Sequence, residues 1–288
     1  MNQSRCPGKT ARESVRRAGG LRGGVGVCLT AALLASAPEA WAWGPAVHRL
    51  TTSEAVDTLP KDLKRFYRQH RYQIPALSLE AEFPEEGPDR RFAADRLLGF
   101  PFSDLPRSEE ALRIRFGDQA DGVGRLPWMI HACYLRLVEA FRASDRPRIL
   151  EESDLLAALV TDLHNPLALT ENSDGQKTGQ HGLWNRFAVR LPEAMEKRLD
   201  LAPDAAHYLD RPAEHVFSIL NGTYVWLDNL LYLEELAHRG KGGYTEIYYD
   251  AFEARVSALL RERLSRAAAE AGSYWYTAWT QAGRPQLD

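Results

Sequence analysis

The apolar residues of this chain recur with the period of an α-helix in nearly every long segment, and this pattern limits its fold more than any other feature. Residues 75–125 are the exception and are predicted to be irregular, because five prolines and several glycines interrupt them. No stretch alternates in the manner of a β-strand, so we predict an all-α fold, a multi-helix bundle around one core. Helices are predicted over residues 46–58, 61–73, 127–143, 149–165, 181–199, 212–238 and 245–271.

The N-terminal 42 residues have the layout of an export signal. Arginines at positions 12, 16, 17 and 22 precede an apolar run from 24 to 37, and alanines occupy positions 40 and 42. This order is typical of a signal peptide that is cleaved after Ala42. We therefore expect residues 1–42 to be removed and residues 43–288 to form one helical domain. The mature protein is then exported, periplasmic or extracellular, with no integral membrane span after cleavage.

Composition narrows the classes of function. The formal net charge is −3, which provides none of the excess basic charge that nucleic-acid-binding surfaces carry. Cys133 is the only cysteine after residue 42, so the exported chain is expected to fold without an internal disulfide.

The first residues after the expected cleavage site include groups that can bind a metal ion. Cleavage gives Trp43 a free α-amine, which can chelate a metal together with the carbonyl oxygen of the same residue. His48 follows closely and can supply an imidazole nitrogen.

Further motifs follow Trp43 and His48 in order along the chain. They are residues 87–91 (GPDRR), 124–128 (GRLPW), 161–167 (TDLHNPL), 170–180 (TENSDGQKTGQ) and 278–285 (AWTQAGRP). Taken together, this ordered set resembles the zinc-dependent phospholipase C and fungal single-strand nuclease superfamily, particularly its bacterial phospholipase C-like branch.

The resemblance implies three zinc ions in a cleft between helices, where clustered ions activate water and neutralise phosphate during phosphodiester hydrolysis. Members hold the zinc through an N-terminal tryptophan, five histidines and three acidic residues. Trp43, His48, Asp89 and Asp162 match four of these positions and are the candidate metal ligands, with Asp89 also the candidate catalytic residue. The other five positions carry apolar residues, which cannot bind zinc: Pro101, Ala158, Ala168, Trp184 and Ala188.

Because five of the nine ligands are missing, we predict that the protein binds zero or one zinc ion. Only the site formed by the Trp43 amine and carbonyl, His48 and Asp162 would be complete, with Asp89 nearby, and its use would be structural. Trp184 and the alanines are expected to fill the remaining cleft.

Burial imposes a further requirement on the two aspartates. A lone buried carboxylate is strongly unfavourable, so Asp89 and Asp162 must meet a metal, Arg90 or Arg91, or backbone donors.

Three hypotheses about function remain open on the sequence. The first is an exported protein of this fold that has lost most of its zinc chemistry, is not an enzyme, and acts by binding or scaffolding. The second is a divergent zinc-dependent phosphoric diester hydrolase with three zinc ions, in which His164 and His181 help to bind metal and phospholipid or nucleic acid is the substrate. The third is an unrelated exported helical interaction protein.

Overall fold

The computed structural model describes residues 42–74 and 89–287. The predicted signal segment up to residue 41, and the first part of the predicted irregular region, lie outside the described residues. Every regular element in the described ranges is helical, which confirms the all-α class. The α-helices of the described residues are α1 (Pro45–Thr58), α2 (Lys61–Gln69), α3 (Glu109–Phe116), α4 (Leu126–Ala143), α5 (Arg146–Leu163), α6 (Leu191–Met195), α7 (Pro212–Tyr224), α8 (Leu227–His238) and α9 (Glu246–Gln281).

Local signals in the sequence explain several helix ends. Pro45 occupies the first turn of α1, where the missing N–H costs nothing, and Pro60 follows its end. The α5 helix begins after Asp145, whose side chain accepts a hydrogen bond from the amide of Arg148 at 3.3 Å. These caps set where the two helices that carry the candidate site begin.

The structure differs from the predicted pattern in the middle of the chain. The region predicted to be irregular contains α3, which Ser108 caps by accepting from the amide of Ala111 at 3.2 Å. A single helix predicted over 212–238 is divided at Val225 and Trp226 into α7 and α8. The helix predicted over 181–199 is a π-helix (Asn185–Arg190) followed by α6. The apolar period located the helical segments in the last two cases but not their ends, and it missed α3.

The long α9 is the element around which the other helices pack. It contacts α1, α4, α5 and α8. Trp275 of α9 stacks on Tyr67 with ring centroids 4.6 Å apart and donates from Nε1 to the Ser153 carbonyl at 3.0 Å. One helix thereby joins α2 and α5 in the larger apolar core. No helix in the described part of the chain has the length and apolarity needed to cross a bilayer.

The crossing of α1 and α9 is close because α9 carries glycine there. A Cβ atom built on Gly272 would overlap the Thr58 hydroxyl and would lie 3.2 Å from the Ala55 carbonyl oxygen. The Thr58 hydroxyl itself donates to that carbonyl at 2.6 Å. The absent side chain at 272 therefore sets the distance between the two helices.

We predict that Gly272→Ala destabilises the fold by about 1–3 kcal/mol, because the added methyl group overpacks this crossing. The matched control is Gly222→Ala in α7, where an added Cβ meets nothing within 4 Å. That change is expected to stabilise the protein by about 0.5–1 kcal/mol through helix propensity. Urea unfolding of both variants measures the difference, and equal effects would contradict the close-crossing argument.

Candidate functional site

A buried cluster of ionisable side chains lies where the end of α5 meets the start of α1. Asp162, in the last turn of α5, is at its centre. Arg90 donates to Asp162 Oδ2 from Nε at 2.8 Å and from Nη2 at 2.6 Å. His48 Nε2 lies 3.2 Å from the other oxygen, Oδ1. The side chains of Arg90, His48 and Asp162 are 2%, 1% and 0% exposed, so the cluster is closed to solvent.

The segment that carries Arg90 is held in place by backbone hydrogen bonds. The amide of Arg125 donates to the Asp89 carbonyl at 2.9 Å, and the amide of Phe92 donates to the Ala168 carbonyl at 2.8 Å. Burial alternates along this segment, since Arg90 and Phe92 are buried whereas Arg91 is exposed. The side chain of Arg90 is therefore directed to the interior, where Asp162 is its partner.

Trp43 lies beside the same turn of α5. Its indole Nε1 donates to the Thr161 carbonyl at 3.0 Å, and its ring packs on Phe187 with centroids 5.3 Å apart. The next residue, Gly44, donates its amide to the Ala188 carbonyl at 2.9 Å. The start of the expected mature chain is thus anchored next to Asp162 by contacts that use no metal.

Asp89 is placed differently from the other candidate ligands. Its side chain is 37% exposed, and its nearest cation is Arg125, at 3.5 Å. Arg125 itself pairs with Glu109 at 2.9 and 3.1 Å, and that hydrogen bond is the main reason that its pKa is raised. All three residues line a cavity of about 340 Å³ beside α4. The carboxylate of Asp89 is therefore in a surface ion pair, and sequence reasoning missed Arg125 as its partner.

The resemblance predicts zinc ligands at five positions that carry apolar residues in this chain. These five positions do not all lie at the cluster. Ala158, Ala168 and Ala188 are buried, but Pro101 is exposed. Trp184 is partly buried and packs against a second apolar core, which also contains Trp43 and Ala188. Gly44 is in close contact with Ala188.

The two histidines considered as additional ligands have other surroundings. His181 is exposed. His164 is buried and donates from Nδ1 to the Val160 carbonyl at 2.8 Å, since a carbonyl oxygen only accepts. It lines a cavity of about 340 Å³ between α7 and α9, which Glu262, Arg263 and Glu270 also line. Burial lowers the pKa of His164 to about 4, so its imidazole is neutral at physiological pH.

The arrangement around Asp162 does not fit a zinc ion. One carboxylate oxygen is taken by the guanidinium, and the imidazole lies against the other. A divalent ion on Asp162 would share a buried site with the permanent positive charge of Arg90, which is strongly unfavourable. In the described ranges, no group of three or more histidine, cysteine, aspartate or glutamate side chains is arranged to hold a metal. Arg90 thus supplies the positive charge that the carboxylate requires.

A second buried ion pair was not found by sequence reasoning. Arg186 donates from Nη2 to Glu234 at 2.9 Å, and the Tyr248 hydroxyl donates to the same oxygen at 2.9 Å. Gln180, from the 170–180 motif, donates to the other Glu234 oxygen at 2.6 Å. The hydrogen bonds to Glu234 are therefore made by protein groups on three separate elements. Arg186 lies in the helix predicted over residues 181–199. The residues around it give no indication that it pairs with Glu234, which is 48 residues away.

No known protein-family model matches this chain, and no curated protein matches its sequence.

We predict that Asp162→Asn lowers the free energy of unfolding by about 3–5 kcal/mol, because it removes the buried carboxylate to which Arg90 donates two hydrogen bonds. The matched control is Asp89→Asn, which removes a half-exposed ion pair and is expected to cost less than about 1 kcal/mol. Urea unfolding of the two variants checks the ranking. Similar losses would show that Asp162 is not the buried centre.

We predict that acidification destabilises the protein through His164. The folded-state pKa of about 4 lies below the unfolded value of 6.5, so the unfolded chain binds more protons between these values. This contribution, on the order of 3 kcal/mol, is present above pH 6.5 and is lost as the pH falls towards 4. Melting temperatures should fall less steeply over this range in His164→Gln than in the unmodified protein. The exposed control His181→Gln should follow the unmodified protein, and three identical slopes would contradict the assignment.

Proposed function

We propose that this chain is an exported protein of the phospholipase C and single-strand nuclease type that no longer catalyses, and that it acts by binding or scaffolding. The observation that carries this proposal is the buried hydrogen-bonded pair of Arg90 and Asp162. The resemblance predicts that Asp162 is the central ligand of the metal site. Its negative charge is already balanced by the guanidinium of Arg90.

The placement of three candidate ligands supports the resemblance. Trp43 and His48 come from the start of the domain and Asp162 from more than 100 residues later, yet all three lie together at the end of α5. The superfamily requires the same convergence, because the mature N-terminus and the central aspartate hold one ion together. An unrelated helical protein has no reason to bring these particular residues to one point.

The burial of the cluster supports the loss of catalysis. Metal-assisted phosphodiester hydrolysis requires an open coordination position and room for a phosphate group. Here the guanidinium, carboxylate and imidazole are at most 2% exposed, so a phosphodiester has no access to them. An active hydrolase would need Arg90 to leave Asp162, and neither His164 nor Asp89 is directed to that space.

The proposal is tested on the mature protein after metal removal and again after loading with zinc. We expect no hydrolysis of a chromogenic phosphodiester, of phosphatidylcholine or of single-stranded nucleic acid in either state. The melting temperature should be the same with and without chelator, because the Arg90 charge cannot be removed by chelation.

His48→Ala and the neighbouring surface variant Arg49→Ala distinguish the outcomes. Zinc-dependent turnover that is lost in His48→Ala and kept in Arg49→Ala would refute the proposal and favour the hydrolase. Arg49 is a suitable control because its side chain is 46% exposed and its ion pair with Glu196, at 3.4 Å, lies at the surface.

A further inference from the structure

We propose that the cavity between α7 and α9 binds a small zwitterion, a molecule that carries an ammonium and a carboxylate group close together, as an α-amino acid does. Glu270 accepts hydrogen bonds from the ammonium group, and Arg266 donates to the carboxylate. This is the cavity that His164 lines, and neither Asp162 nor Arg90 lines it. The site is therefore separate from the cluster that carries the proposed function, and it goes beyond that function.

The cavity lies where α7 and α9 run antiparallel and face each other. At one end, the carboxylate of Glu270 in α9 accepts a hydrogen bond at 2.7 Å from Nε2 of His215 in α7. At the other end, Arg263 of α9 donates from Nη1 to the Gly222 carbonyl of α7 at 3.1 Å. Seven residues of α7 separate His215 from Gly222, so the two ends are about 10 Å apart. The volume of about 340 Å³ is typical of a small-molecule pocket.

The charged side chains of the cavity cancel one another. Two glutamates, Glu262 and Glu270, and two arginines, Arg263 and Arg266, line it. Burial acts to raise the pKa of Glu270, but the hydrogen bond from His215 outweighs burial and lowers the pKa, so the carboxylate is ionised at neutral pH. An ion of a single sign meets repulsion from part of this lining. A ligand that carries both charges pairs with both kinds of side chain.

Arg266 and Glu270 are one turn apart on α9, yet each pairs with another residue. Arg266 donates from Nε to Glu262 at 2.6 Å, and Glu270 uses Oε2 for His215. Within the described residues, no hydrogen bond involves the two Nη atoms of Arg266 or Oε1 of Glu270. Four residues of an α-helix rise about 6 Å, a distance that an ammonium and a carboxylate on one carbon atom can bridge with hydrogen bonds of ordinary length.

His164 supplies a second acceptor inside the cavity. It is 2% exposed and lies within electrostatic range of Glu270. Because Nδ1 of the neutral ring donates to the Val160 carbonyl, Nε2 is the nitrogen that accepts, and no donor among the described residues reaches it. An ammonium group donates three hydrogen bonds, so it suits a carboxylate and an imidazole together. These two acceptors favour the ammonium end of the ligand.

The remaining wall of the cavity is apolar and has room for a side chain of the ligand. Ile219 and Trp226 form this wall together with Gly222. A Cβ atom built on Gly222 would meet nothing within 4 Å, so the space beside it is open. Leucine is therefore a suitable probe, because it combines the zwitterionic group with an apolar side chain.

The experiment measures calorimetric binding to the mature protein of leucine and of two analogues that each lack one charge. Isoamylamine lacks the carboxylate, and 4-methylpentanoate lacks the ammonium group. We expect leucine to bind with one molecule per chain, and each analogue to bind about tenfold more weakly or worse, because each loses a charge-assisted contact. Melting temperatures with the other standard amino acids then show which side chain the apolar wall prefers.

Three variants and a matched control locate the site. Arg266→Gln and Glu270→Gln should each weaken leucine binding about tenfold or more. Gly222→Leu should abolish binding and leave the protein folded, because the new side chain enters open space in the cavity. The control is Arg261→Gln, which changes an exposed arginine of α9 outside this cavity and should leave binding unchanged.

The zwitterion site is refuted if no standard amino acid binds, if either analogue binds as tightly as leucine, or if Gly222→Leu still binds leucine normally. Should Glu270→Gln fail to fold, Arg266→Gln provides the same comparison, because its side chain is 65% exposed. Equal binding by Arg266→Gln and Arg261→Gln also refutes the site. These outcomes are distinguishable from failure of the proposed function, which zinc-dependent turnover refutes whether or not leucine binds.

Discussion

The structure depends on the cost of burying the charge of Asp162. A carboxylate with no solvent contact must be neutralised by a permanent partner, and Arg90 is the group that does so. That requirement joins the end of α5 to the segment before Phe92, and the imidazole of His48 joins both to α1. Three parts of the chain that are distant in sequence are therefore positioned by one charge.

A guanidinium and a metal ion meet this requirement with different consequences. The guanidinium belongs to the chain, keeps its charge at all physiological pH values and directs its hydrogen bonds within a plane. It has no open coordination position, so it can neither lower the pKa of a bound water nor bind a leaving oxygen. A guanidinium can therefore hold neighbouring elements together as a bound ion would, but it does not supply the reactivity of a metal ion.

Small residues allow the surrounding elements to approach one another as closely as this cluster requires. Gly44 lies against the backbone at Ala188, and Gly272 lets α9 cross α1 at Thr58. The indole of Trp43 packs nearby on Phe187.

The sequence by itself determined the helical class, from the apolar period. The resemblance, which places Asp162 in a cleft filled by apolar residues, predicted its need for a counter-charge. It also indicated Arg90 and Arg91 as candidates without distinguishing them. Only the tertiary structure decided between them. The backbone bonds from Arg125 to Asp89 and from Phe92 to Ala168 set which side chains of this segment face inward. These partners are distant in the chain, so local spacing carries no information about that register. The same register places Asp89, the residue before Arg90, in a separate surface ion pair with Arg125.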